Sequence, residues 1–203
     1  MKKAIHRFLV SSLALLAFSG FSNAASIRSS VDIFQNAFDI GTTSIFIDDN
    51  RAPDVPEDIA VPKGHKVHFH GFAVGFQVYT WDGLKWGPAV PDATLFDDDG
   101  NVVASHFAGP TWRSNSGSEV VGELPPLSVE VDPDSILWLR LAADEDRTHG
   151  PGIFANTSFI HRVNTVGGKA PSVNGTVIGQ VAKIPYTADY FFYRETNKSQ
   201  DPA

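Results

Sequence analysis

From residue 61 to 194 the chain shows almost no helical period. Polar and apolar residues alternate in short runs, at 66–72, 76–81, 101–107, 136–141, 153–163 and 186–194, and clusters of Gly, Pro and Asp separate the runs. Alternation with a period of two sends successive side chains to opposite faces, so each run predicts a strand that buries one face. Repeated short strands with turns between them predict an all-β fold, a single antiparallel β-sandwich or barrel-like domain. The residues expected inside it include Val67, Phe69, Val78, Leu95, Leu137, Leu139, Leu141, Phe159 and Phe191.

The remaining segments read differently. Lys2, Lys3 and Arg7 precede an apolar run over 8–18, and Ser22-Asn23-Ala24 supplies small residues for cleavage. That pattern predicts a signal peptide over 1–24 and an exported protein, periplasmic or extracellular. Residues 25–60 form an N-terminal arm and connection, in which Val31, Phe34 and Phe38 line either a short helix over 30–40 or simply an extended arm. The β domain is expected over 61–194, and 195–203 reads as a flexible tail. No stretch reaches the roughly 20 apolar residues of a membrane span. The chain has no cysteine, so neither a disulfide nor a lipid-attachment thiol is available. Its formal charge of -7 becomes more negative once the three basic residues of the leader are removed, which argues against nucleic-acid or anionic-membrane partners.

Five phrases mix aromatic, polar, Gly and Pro residues too specifically for generic strand sequence: GFQVYTW, ATLFDDDG, SHFAGPTW, TSFIHRVNTVGGKAP and IPYTADYFFYR. Together they resemble a family of secreted bacterial and fungal proteins classed as a domain of unknown function, some members of which carry a malate dehydrogenase label. The resemblance implies a shared fold and transfers no functional residues. Its relatives have a cysteine after the QxYT strand and another before the last strand. Here Trp81 follows Thr80 and 172–183 contains no sulfur, so the disulfide implied for the family is absent. Gly167-Gly168 follows a strand instead of opening a helix, and strands do not alternate with helices, so the dehydrogenase label has no support in the dinucleotide-binding pattern.

Histidines offer the sharpest chemistry. In His65-Lys66-Val67-His68-Phe69-His70, alternation places His68 and His70 on one face. Two imidazoles so spaced, with a third ligand, suit copper or zinc. His106 is the preferred third ligand, with His161 as the alternative. The opposing reading is two histidines on the polar side of an amphipathic strand. His106 also precedes the Gly109-Pro110 turn that returns Trp112 toward it, making either a ligand-binding corner or a structural one. On the last strand, Asp189 sits among aromatics and needs a partner, Arg162 or Arg140, or else anchors a cleft.

The candidate ligand-binding cleft therefore comprises Tyr79, His106, Trp112, Asp189 and Tyr193, and the candidate metal set His68, His70 and His106. Two functions follow. One is a non-catalytic module that binds a small molecule, a glycan or a surface partner, with Trp81, Trp86 and Trp112 as stacking faces. The other is a copper or zinc metalloenzyme. The 97–101 segment, Asp-Asp-Asp-Gly-Asn, has Gly too early for an EF-hand and reads as a hairpin turn.

Overall fold

The computed structural model describes residues 51–196, so the expected signal peptide over 1–24, the 30–40 segment and most of the expected tail lie outside the described residues. The described chain is all-β. Nine antiparallel strands form one sheet in the order β5-β4-β3-β2-β1-β9-β8-β7-β6. They are β1 (His65–Thr80), β2 (Val90–Phe96), β3 (Val102–Phe107), β4 (Thr111–Ser114), β5 (Glu119–Val121), β6 (Leu127–Val129), β7 (Trp138–Ala142), β8 (Phe159–Gly167) and β9 (Val181–Glu195). The runs at 66–72 and 76–81 are thus one continuous strand. The expected strand over 153–163 begins only at Phe159; residues 153–156 are a turn that tucks Phe154 into the core. With every neighbouring pair antiparallel, there is no crossover unit of the dinucleotide-binding kind among the described residues.

The sheet curls into a half-barrel. His106 on β3 and Tyr190 on β9 are separated by three strand spacings, about 14 Å in a flat sheet, yet their ring centroids are 5.2 Å apart. Trp112, one strand further out, is 5.3 Å from the same tyrosine. Bridges from Glu119 to His149 and from Gly122 to Ala143 tie the β5 side to the chain following β7.

Small residues on the central strands permit the close approach. One register row runs Trp112, His106, Ala93, Gly75, Tyr186, so the aromatics at its ends are spaced by an alanine and a glycine. A Cβ at Gly75 would lie 2.3 Å from the Asp92 carbonyl oxygen and 2.5 Å from Ala93 Cα, which makes glycine obligatory there. The concave face holds the main core, with Leu95, Trp112, Val120, Leu141, Phe154, Ile160, Tyr190 and Phe192 fully or almost fully enclosed.

The convex face carries a second, smaller buried group under the 3-10 turn Glu57–Ile59. Ile59, Val67, Val163 and Tyr193 are buried there. His161 Nε2 donates to the Ile59 carbonyl at 2.7 Å, and the Tyr193 hydroxyl donates to His161 Nδ1 at 3.0 Å. The pair holds the incoming segment down, and burial keeps the imidazole below its ordinary pKa. Of the nine expected core residues, Val67, Leu95, Leu139 and Leu141 are buried. Phe69 packs against the core from a half-buried position. Val78, Phe159 and Phe191 are half-buried on the convex side, and Leu137 is exposed because β7 begins only after it.

Candidate functional site

The curl leaves a cavity of about 270 Å³ on the concave face. Its walls come from strands on both sides of the curl: Gln77 of β1, His106 of β3, Trp112 of β4, Leu139 of β7, Arg162 of β8 and Tyr190 of β9. Three connections form the mouth, at 88–91, 108–110 and 124–126, and each brings proline. Proline fixes its own φ, so this rim loses little conformational freedom when a ligand is bound.

Polar groups in the wall fall into two kinds. Some are satisfied. His106 Nδ1–H donates to the Thr111 carbonyl at 2.9 Å, which assigns the ring nitrogen Nε2 as the lone-pair acceptor. Complete burial drives the His106 pKa down to about 3, against a smaller opposing effect of that hydrogen bond, so the ring is neutral. Its plane lies on the indole of Trp112 at 4.1 Å and 5°. Burial also raises the phenol of Tyr190, and that of Tyr186 behind it, outside the wall, with their oxygens 3.5 Å apart.

Others are not satisfied. Gln77 Nε2 and Trp112 Nε1 are buried donors with no hydrogen-bond partner, in residues that are each 1% exposed. Arg162 is hydrogen-bonded but carries no counter-ion: it gives Nε and Nη2 to the Leu137 carbonyl, at 3.2 and 2.9 Å, and interacts with the Tyr190 hydroxyl, while no carboxylate pairs with it among the described residues. No acidic residue lines the cavity, and Arg162 is the single formal charge in its wall.

Of the five residues expected to form a cleft, the structure brings His106 and Trp112 together in this cavity. Tyr79 faces the same side of β1 as Gln77 but donates its hydroxyl to the Gly168 carbonyl at 2.6 Å, lining an adjoining depression that shares Arg162. Asp189 and Tyr193 lie on the convex face, Tyr193 against His161. Asp189 is paired with neither Arg162 nor Arg140; it accepts from His70 Nε2 at 3.0 Å and from Asn164 Nδ2 at 2.9 Å. Partial burial works to raise its pKa, and the bonds from His70 and Asn164 outweigh that to leave it below the usual carboxylate value. Trp81 and Trp86 pack on each other at 5.4 Å beneath the 173–175 loop, away from the cavity.

The histidines His68, His70 and His106 do not converge. The β1–β9 register skips one residue between Val67 and Phe69, so His68 is the extra residue of a bulge and leaves the face that alternation assigns it. His68 Nε2 bonds Thr157 Oγ1 at 3.1 Å, and burial, with the nearby Arg194 and Arg51 charges, lowers its pKa to about 4. His70 is bracketed by carboxylates, with Nδ1 on Asp98 at 2.6 Å and Nε2 on Asp189. Its hydrogen bond to Asp189 leads the effects that raise its pKa. Among the described residues no group of three or more His, Asp or Glu side chains is placed to hold a metal ion.

Sequence reasoning missed Gln77, Arg162 and Tyr190. Gln77 carried a usable signal: a carboxamide at an inward position of an alternating strand, between Gly75 and Tyr79. The family described as "Protein of unknown function (DUF3455)" matches residues 62–194, and the chain belongs to it. No curated protein and no solved structure matches it.

Proposed function

We propose that this member of the family is an exported, non-catalytic binding module that takes a small molecule into the cavity of its curled sheet. The observation that carries this reading is the pair of unpartnered buried donors, Gln77 Nε2 and Trp112 Nε1, carried by two residues that line the cavity. A buried donor without a partner costs roughly 1–3 kcal/mol, so two of them in one wall are most readily explained by a ligand that accepts from them. Apolar walls with a few placed polar groups are the usual make-up of a small-molecule site. The sequence of residues 1–24 supports export.

Ligand-observed NMR with a library of small polar-headed compounds tests the reading, run on the wild-type protein and on Gln77→Leu. Binders should shift Trp112 fluorescence and lose at least tenfold in affinity in the variant. No binders at all, or binders indifferent to Gln77→Leu, would sink it.

A further inference from the structure

We infer that the ligand of this cavity is a small monocarboxylate with an apolar body, held through Arg162; the inference rests on the binding reading above. The charge inventory points to it. Arg162 is the only charged residue in the wall, and it has no carboxylate counter-ion among the described residues. Two of its nitrogens are spent on one backbone carbonyl, that of Leu137, which fixes the guanidinium plane without neutralising it. A cation in an apolar wall attracts an anion more strongly than one in water, because the low dielectric weakens less of the field. Guanidinium geometry matches a carboxylate.

The other wall groups narrow the choice. Gln77 Nε2 and Trp112 Nε1 are donors, so they suit the oxygens of an acid and not an ammonium group. His106 is neutral and adds no second positive charge. One unit of positive charge balances a monoanion and leaves a phosphate dianion half uncompensated in an apolar enclosure. The remaining surface is apolar, with Leu139, Leu141, Pro91 and Pro126 among its residues, which calls for an acyl or aryl body. A volume of about 270 Å³ lies just under the roughly 300–1,000 Å³ of sites for drug-sized ligands, so the body is short.

Calorimetric titration of the wild-type protein with hexanoate, phenylacetate and cinnamate, each against its neutral amide, tests the inference at pH 7. Each pair has the same shape and differs in charge. The acids should bind at least tenfold tighter than the amides. Arg162→Gln should erase that preference and Arg162→Lys should keep part of it, with circular dichroism confirming that each variant retains the sheet. Should Arg162→Gln fail to fold, the acid–amide comparison on wild type still decides. Amides binding as well as the acids, or only neutral compounds from the wider library binding, would overturn the carboxylate while leaving a binding cavity in place. No binding by any compound would remove both.

Discussion

His106 and Trp112 are directly opposite one another on β3 and β4, and their rings stack at 4.1 Å with planes 5° apart. The stack also makes the core sensitive to acid, because protonating His106 would bury a charge. An ordinary histidine titrates near 6.5, while enclosed His106 titrates at about 3 and His68 at about 4. Between those values the unfolded chain binds protons that the native protein does not, so stability rises with pH across the window and is lost as pH falls through it. The urea midpoint should therefore drop between pH 7 and pH 5, with a shallower drop in His106→Gln. His70, whose pKa is raised, works in the opposite direction over this range, so the test is the difference between the two proteins: equal pH slopes in the wild type and His106→Gln would contradict the burial of His106.

Gln77→Leu should stabilise the unliganded protein. The substitution removes a buried carboxamide with an unpaired donor and keeps much of its volume, and relief of such a group is worth about 1–3 kcal/mol. A higher melting temperature combined with weaker ligand binding is the expected signature of a residue retained for function. A lower melting temperature would mean that Gln77 is satisfied in the native state.

Asp189→Asn should lower the pKa of His70, because the hydrogen bond to Asp189 leads the causes that raise it. A raised folded-state pKa contributes stability that is fully present below the unfolded value and is lost as pH rises through the folded one. The variant should thus be destabilised at pH 6, on the order of 1 kcal/mol for this half-exposed pair, and close to wild type at pH 9. Imidazole chemical shifts followed by NMR report the pKa directly. Asp98→Asn should do less, since Asp98 is 67% exposed.

Gly75→Ala is expected to cost at least the roughly 1–3 kcal/mol of an overpacked core, because the atoms its methyl would strike are backbone of β2 and cannot rotate away. Gly117→Ala, on an open turn with nothing within 4 Å and φ of +93°, should lose only the strain of its backbone conformation. Chemical denaturation of the two variants ranks them, and equal losses would mean that β2 moves aside easily.

The fold class was legible because a period of two survives tertiary context wherever one face is buried. β2, β4, β5 and β6 were missed: the last three have three or four residues each and are too short to show alternation, and β2, Val90–Phe96, carries Pro91 and Asp92 near its start, which read as turn residues. The cleft was half legible. Alternation along β9 separates Ala188 and Tyr190 from Asp189 by itself, so a site combining Asp189 with His106 required two faces to meet. The bulge at His68 had no signature in its neighbours, and it undoes the pairing of His68 with His70. Arg162 could not be read as a wall residue, because its neighbours across the curl are set by how far the sheet bends and not by its own strand.

The strands at the two extremes of the domain, β1 of 16 residues and β9 of 15, lie side by side at the centre of the sheet. Every other strand is arranged outward from that pair, β2 to β5 on one flank and β8 to β6 on the other. During synthesis the chain can zip β1 to β5 early and β6 to β8 later, but the two flanks have no shared strand until residue 195 has emerged. Apart from the Glu119–His149 and Gly122–Ala143 bridges, the two flanks are joined through the β1–β9 pair, and the wall of the concave cavity, which takes Gln77 from the first strand and Tyr190 from the last, is complete only when that long-range pair has formed.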